Sequence, residues 1–348
     1  MMPEEWPIAA PAADGNAHAR LAGRGRLHTV RRDFFLDPAK RLTEQERALM
    51  TAMLHCLVSD VADAIRAALP VGRVAANDES DAALIEALTS SGLLDEPGLM
   101  ALLLRRADEE RIGTAARARS GRREARVLQG LVSHDYGAVA AAAMALILGR
   151  GRRRDRFGQC LIAFDDLPPA SAEALVSAVA AGLRREVAGV RGAAEADREL
   201  AEASERVLDQ RDDERSIDAL TAALVHFLDE AGGLTDELVL GAGNEGEVAF
   251  VGEFLARRAG IPTDSAIDEL LSGEPDHVMG LLRMAGASGE LSAGLLAGIG
   301  DLLGITDVGA AITIFDSMSA EQAQAARSWL STTAAYRTAL ERLGQGRG

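Results

Sequence analysis

Lysine is almost absent from this chain: Lys40 is the only one in 348 residues. Cysteine occurs twice and aromatic residues make up 3%. Two cysteines, Cys56 and Cys160, both in apolar helical surroundings, give no sign of a disulfide framework and read as a buried pair of free thiols. Few Val, Ile, Tyr or Thr runs alternate with period two, so the sequence offers little to build a sheet. The longest apolar run, "VAAAAMALIL" over Val139–Leu148, is too short to span a bilayer, and no membrane insertion is expected. The opening "MMPEEW" carries acids where a signal peptide needs an apolar stretch. Together these absences point to a reducing cytosol.

What is abundant is Ala, Leu, Arg and Glu, all good helix formers. Hydrophobic residues reach 48%, enough for a packed core, and the expected fold class is all-α. The formal charge of −16 disfavours nucleic acid as a general partner. Leu42, Leu49, Met53, Leu57, Val61, Ile65 and Leu69 recur on one face of a 3.6-residue period and predict a helix over 42–69. Thr43 with Glu46 has capping-box spacing, and Pro70 marks the stop. The strength of that stripe also admits a homodimer. Shorter helices are expected over 78–165. From Pro168 to Arg215 the pattern reads as a long exposed helix, or two with a soft joint near Gly192. In "FDDLPPAS", Asp165 and Asp166 are expected to cap the helix that follows the prolines.

Beyond Ile217 the chain acquires a rhythm. Helices are expected to begin near Ile217, Glu245, Pro275 and Thr306, each unit being a helix, a short turn and a second helix. Ser265 with Asp268 and Ser319 with Gln322 have cap spacing. Helix pairs that cannot bury their own apolar faces stack on their neighbours, which predicts an α-solenoid or stacked helix-pair repeats. The expected organisation is a loose arm over 1–30, an N-terminal helical region over 31–215, the helix-pair repeats over 216–343 and a tail over 344–348. "GAGNEG" within this part has the look of a phosphate loop. No strand precedes it, no Lys-Ser/Thr follows it, and Glu245 and Glu247 would repel a phosphate. Gly241, Gly243 and Gly246 are therefore expected to be turn and C-cap residues, with Asn244 available to cap the next helix.

The segment "RRDFFLDPAKRLTEQERALMTAMLHCLVSDVADAIRAAL" resembles the opening of a family of uncharacterised alphaproteobacterial proteins, a domain of unknown function. "GGLTDELVLGAGNEGEVAFVGEFLARRAGIPTDSAIDELLSGEPDHVMGLLRM" is similar to that family's most recognisable part, and "AAITIFDSM" to its closing run. The resemblance implies HEAT-like helical repeats and carries no catalytic residues.

The search for chemistry is mostly negative. None of the six histidines has metal-ligand spacing, no G-x-S-x-G occurs, and no catalytic, cofactor or metal residues are assigned. His226 and Asp229, three apart on one helix face, read as a local surface pair before an acid–base pair. The feature that stands out is an arginine band: between Arg105 and Arg156 there are 13 arginines against six acids. Arg117, Arg119, Arg122, Arg123 and Arg126 cluster before one helix; Arg150, Arg152, Arg153, Arg154 and Arg156 cluster after it. Guanidinium forks suit phosphates and carboxylates, so an anionic ligand or partner is one reading. The plainer reading is a solvated turn, or one that pairs with the chain's own acids near Asp212–Glu214. The function expected first is a non-enzymatic scaffold or adaptor for a protein partner, with a role in bacterial signalling. The second is a binder of a phosphorylated protein, nucleotide or nucleic acid through the band. The third is an enzyme of unrecognised type.

Overall fold

The computed structural model describes residues 42–70, 78–119, 121 and 126–343. The expectations for residues 1–30 and 344–348, and for Arg122 and Arg123, lie outside them. The chain divides into two compact units, residues 1–47 and 48–348. Of the first, residues 42–47 are described. They open a helix in which Thr43 and Glu46 exchange bonds: the Glu46 N–H donates to Thr43 Oγ1 (3.1 Å) and the Thr43 N–H donates to Glu46 Oε2 (2.8 Å).

The fold is all-α, with no strand among the described residues. The helices are α1 Glu44–Ala68, α2 Asp78–Ser90, α3 Pro97–Arg119, α4 Arg126–Leu131, α5 Gly137–Arg152, α6 Pro169–Arg191, α7 Ala193–Asp209 and α8 Ile217–Glu230. They continue as α9 Asp236–Asn244, α10 Val248–Ala259, α11 Thr263–Leu271, α12 Pro275–Met284, α13 Gly289–Leu295, α14 Val308–Ser317, α15 Ala320–Leu330 and α16 Ala334–Arg342. Helix α1 is long and apolar enough to cross a membrane. Its stripe Met53, Leu57, Val61 and Ile65 is instead 0–1% exposed, packed into the core of the 48–348 unit. Burying side chains of this size contributes roughly 1.5–3 kcal/mol each.

Two cores form. One gathers α1, α2, the first half of α3, α6 and α7 around Leu57, Leu103, Val176 and Leu200. The other gathers the second half of α3, α4, α5 and α8 onward around Leu146, Leu224, Phe250, Phe254 and Leu282. Helix α3 belongs to both: Leu99, Leu103 and Ala107 face the first, Ile112 and Ala116 the second. The stretch Pro168–Arg215 is not one long helix. The chain breaks at Gly192, and α6 and α7 pack along one another, clasped by Arg184 and Asp197 (Nη2 to Oδ2, 2.9 Å).

The C-terminal rhythm is realised as α8, α10, α12 and α14, which start at Ile217, Val248, Pro275 and Val308. Successive helices pack in pairs, α8 on α10, α10 on α11, α11 on α12 and α12 on α14 and α15, a stacked, solenoid-like arrangement. Ser216, Thr235, Ser288, Asp307 and Ser319 each accept a first-turn N–H, and Ser319 completes its box with Gln322. Ser265 differs from expectation. Helix α11 starts at Thr263, so Ser265 lies inside it, buried, donating to the Leu330 carbonyl and accepting from Arg337.

"GAGNEG" is no loop for most of its length. Gly241, Gly243 and Asn244 complete α9, and of the three glycines only Gly246 lies in the turn, after Glu245 and at φ +73°. Asn244 therefore ends one helix and caps none. A Cβ at position 246 would stand 2.6 Å from the Gly113 Cα and 2.9 Å from the Ile112 carbonyl oxygen, both main-chain atoms of α3. The glycine lets the α9–α10 turn close onto α3. Gly260, which ends α10 at φ +67°, has nothing within 4 Å of such a Cβ. Gly246→Ala is expected to lower stability by about 2–5 kcal/mol, backbone strain plus overpacking. Gly260→Ala should cost about 1–2 kcal/mol from strain alone. Urea midpoints of the two variants measure the difference; equal losses would refute the close contact.

Candidate interaction site

The arginine band has two populations, set by the elements that carry it. Arg105, Arg106, Arg111, Arg117 and Arg119 lie on α3; Arg150 and Arg152 close α5; Arg153, Arg154 and Arg156 lie in the turn that follows. The inward population is tied to carboxylates of the same chain. Arg153 is 9% exposed and grips Asp166 with both arms, Nε to Oδ2 at 2.6 Å and Nη2 to Oδ1 at 2.8 Å. It also donates to the Gly149 and Arg215 carbonyls. Arg106 donates to Glu109 (2.7 Å) and Asp218 (2.8 Å), and Arg105 shares both acids and reaches Asp264 at 3.1 Å. Arg150 pairs with the buried Glu247, Arg154 with Glu110 (2.9 and 3.1 Å), and Arg119 with Asp301.

Asp165 and Asp166 do not cap α6, the helix that follows the prolines. They lie in a 3-10 turn, Phe164–Asp166, and look the other way. Asp166 accepts the N–H of Ile217 (2.9 Å) at the start of α8 and that of Ala163 (2.9 Å); Asp165 accepts the Asp212 N–H (3.0 Å). Among the described residues the Asp212–Glu214 region is not the band's counter-charge either. Asp212 pairs with Arg215 and Asp213 with Arg211; the described members of the band take only the Arg215 carbonyl from this region. The acids of "NEGE" do serve the band's neighbourhood. Glu247 holds Arg150, and Glu245 accepts the Val127 N–H at 2.9 Å, near the start of α4.

Between these groups lies a cavity of about 110 Å³ whose walls include Arg106, Arg117, Arg150, Arg153, Arg154 and Cys160. Burial, with Glu110 nearby, pushes the Cys160 thiol up to about 11. At neutral pH it is a thiol and a poor nucleophile. The cysteines are not the expected buried pair: both are free, but Cys56 is exposed on α1 and Cys160 is half-buried in the turn after α5, outside any helix. Burial alone would raise the Asp218 carboxyl, but Arg106 and Arg105 outweigh it and hold the group below the ordinary carboxylate range. Among the described residues, no group of three His, Cys, Asp or Glu side chains is placed to hold a metal ion. His226 and Asp229 are joined through a third residue: Asp229 pairs with Arg257 at 2.8 Å, and the same guanidinium lies 3.4 Å from His226 Nδ1.

The outward population is small. Arg126, Arg152 and Arg156 are exposed and make no ion pair with a described residue. Arg156 lies over the ring of Phe157, 4.7 Å from its centroid, and Phe157 is 81% exposed. The turn that carries them is fully braced. Arg154 and Cys160 form an antiparallel bridge, and the Leu161 N–H donates to the Arg153 carbonyl at 2.9 Å. The Asp155 N–H donates to the Gln159 carbonyl (3.0 Å) and the Gly158 N–H to the Asp155 carbonyl (2.9 Å). The Asp155 side chain turns inward, where Oδ1 accepts the N–H groups of Phe157 and Gln159, both at 2.8 Å. Phe157 carried no periodic or motif signal; its only mark was an aromatic among arginines in a chain poor in both lysine and aromatics.

The family model described as "Uncharacterised protein conserved in bacteria (DUF2336)" matches residues 88–328. The chain belongs to this family. The DUF2336 span runs from within α2 to within α15 and so includes the Arg153–Asp166 pair, the cavity and the 153–160 turn. No curated protein and no solved structure matches the chain.

Asp166→Ala strands the Arg153 guanidinium in the interior and leaves the Ile217 N–H at the start of α8 without its acceptor. It is expected to cost about 3–5 kcal/mol, against little or no measurable loss for Arg119→Ala at an exposed, solvent-screened pair. Guanidinium denaturation of both variants gives the comparison. The depressed Asp218 carboxyl contributes stability in full above its unfolded-state value, near about 4, and loses it as pH falls through the lower folded value. Asp218→Asn should therefore flatten the acid limb of a stability–pH profile below about pH 4; an unchanged limb would contradict the assignment.

Proposed function

We propose that the protein is a non-enzymatic scaffold or adaptor of the bacterial cytosol that offers a stack of HEAT-like helix pairs to a protein partner, in a regulatory setting. The observation that carries this reading is the closure of the charge network. The buried arginines of the band, Arg106 and Arg153, are each met by carboxylates of the same chain. These buried charges are engaged in holding α3, α5, α8 and the 164–166 turn together. A frame braced in this way keeps its surface shape, and extended helical stacks commonly serve as binding surfaces. The step from stack to scaffold rests on that analogy of architecture. The same closure weighs against the reading as an anion binder through Arg119, Arg150, Arg153 and Arg154.

Affinity capture of the tagged full chain from bacterial cytosol, at low and high salt, tests the proposal. A defined protein retained at both salts is the expected result. Nucleotides or nucleic acid retained only at low salt, with no protein, would overturn it in favour of the anion binder.

A further inference from the structure

The turn between α5 and the 164–166 segment presents a combination found nowhere else on the described surface. Its aromatic tip is the most exposed of the large apolar side chains among the described residues: Phe157 at 81%, against 70% for Leu343 and 55% for Tyr336. An exposed phenyl ring is unfavourable in water and has a large payload when buried. The backbone beneath it is fixed by the Arg154–Cys160 bridge and by the Asp155 carboxylate inside the turn. Arg154 adds a bond from Nη1 to the Gly158 carbonyl at 2.7 Å. A ring held in this way loses little freedom on docking, the condition under which an aromatic becomes an anchor.

The charge around the ring is selective. Arg153 and Arg154 turn inward to Asp166 and Glu110, and Asp155 is bonded to the turn's own N–H groups. Arg152 and Arg156 are left exposed, Arg152 at the end of α5 and Arg156 beside the tip with its guanidinium over the Phe157 ring. This is a local positive patch on a chain of formal charge −16. A polyanion such as nucleic acid meets the repulsion of the whole molecule for the sake of two free arginines. A compact acidic site on a protein meets only the patch.

We propose that the 155–158 turn is a docking knob, on which Phe157 enters an apolar pocket of a partner protein whose rim is acidic and engages Arg152 and Arg156. This rests on the scaffold reading and names its contact site and the chemistry of its partner. Complementary charge at the rim governs the encounter rate and its salt dependence, while the buried ring governs dissociation.

The test selects a phage-displayed library of random linear peptides against the immobilised full chain. The most enriched peptide is then titrated by fluorescence anisotropy against the wild type, Phe157→Ala and the double variant Arg152→Glu/Arg156→Glu. Enriched sequences should pair an apolar residue with flanking Asp or Glu. Phe157→Ala should weaken binding by about tenfold or more. The double charge reversal should weaken it and remove most of its dependence on salt. Both sites are exposed, so thermal unfolding should match the wild type. If Phe157→Ala binds the peptide as the wild type does, the knob is refuted while a scaffold with another surface survives. Loss with Phe157→Ala but none on charge reversal refutes the acidic rim. No enrichment refutes the knob, and if affinity capture also yields no protein, the scaffold reading falls with it. Light scattering of the free chain adds one arm: a dimer lost in Phe157→Ala would make a second copy the occupant and overturn the acidic partner. Phe157-dependent binding of labelled oligothymidylate would overturn it in favour of nucleic acid.

Discussion

The contact between Arg153 and Asp166 is the constraint on which the arrangement around it depends. One buried carboxylate receives both arms of a guanidinium, the Ala163 N–H and the Ile217 N–H. It thereby fixes the end of α5, the 3-10 turn and the first residue of α8 at one point. Neither charge would be tolerated there without the other. Around this point Arg105 and Arg106 bring α3 to the same end of α8 through Asp218, and Arg150 brings in the α9–α10 turn through Glu247. The cavity is what remains where these groups converge without touching.

This arrangement reconciles two facts of composition that seem at odds. The chain is strongly acidic, yet it concentrates arginine in one band. Arginine rather than lysine suits the task, because its planar fork satisfies a carboxylate and a carbonyl at the same time, as Arg153 does. The acids absorbed by the band come from α3 itself, from the 164–166 turn, and from α8, the α9–α10 turn and residue 301. What the band shows to solvent is a remnant of what the sequence contains.

The sequence made local matters legible. Helix α1 with its stripe and its Thr43–Glu46 box, the onsets of α8, α10, α12 and α14 to within a few residues, and the cap at Ser319 all follow from local spacings. Errors begin where a side chain is satisfied from far away. Asp166 was assigned to the adjacent α6, whereas its partners stand 13 and 51 residues off. Ser265 had cap spacing, but its partners are 65 and 72 residues distant. The glycines of "GAGNEG" look alike in sequence, and only the neighbouring helix tells Gly246 from Gly241 and Gly243. The arginine band was visible as a cluster, but its division into paired and outward-facing members depends largely on pairings 13 to 182 residues apart. Phe157 was invisible because nothing periodic or repeated marks a turn tip.

The approach of Gly246 to α3 differs in kind from the ion pairs around it. An ion pair has two side chains, and a change in one can be answered by a change in the other. At Gly246 the obstacle is the main chain of residues 112 and 113, atoms that every residue type shares. No substitution on α3 makes room for a side chain at 246. Position 246 is therefore a fixed point of the fold rather than half of a covarying pair, and the sequence around it drifts only within the space the glycine leaves.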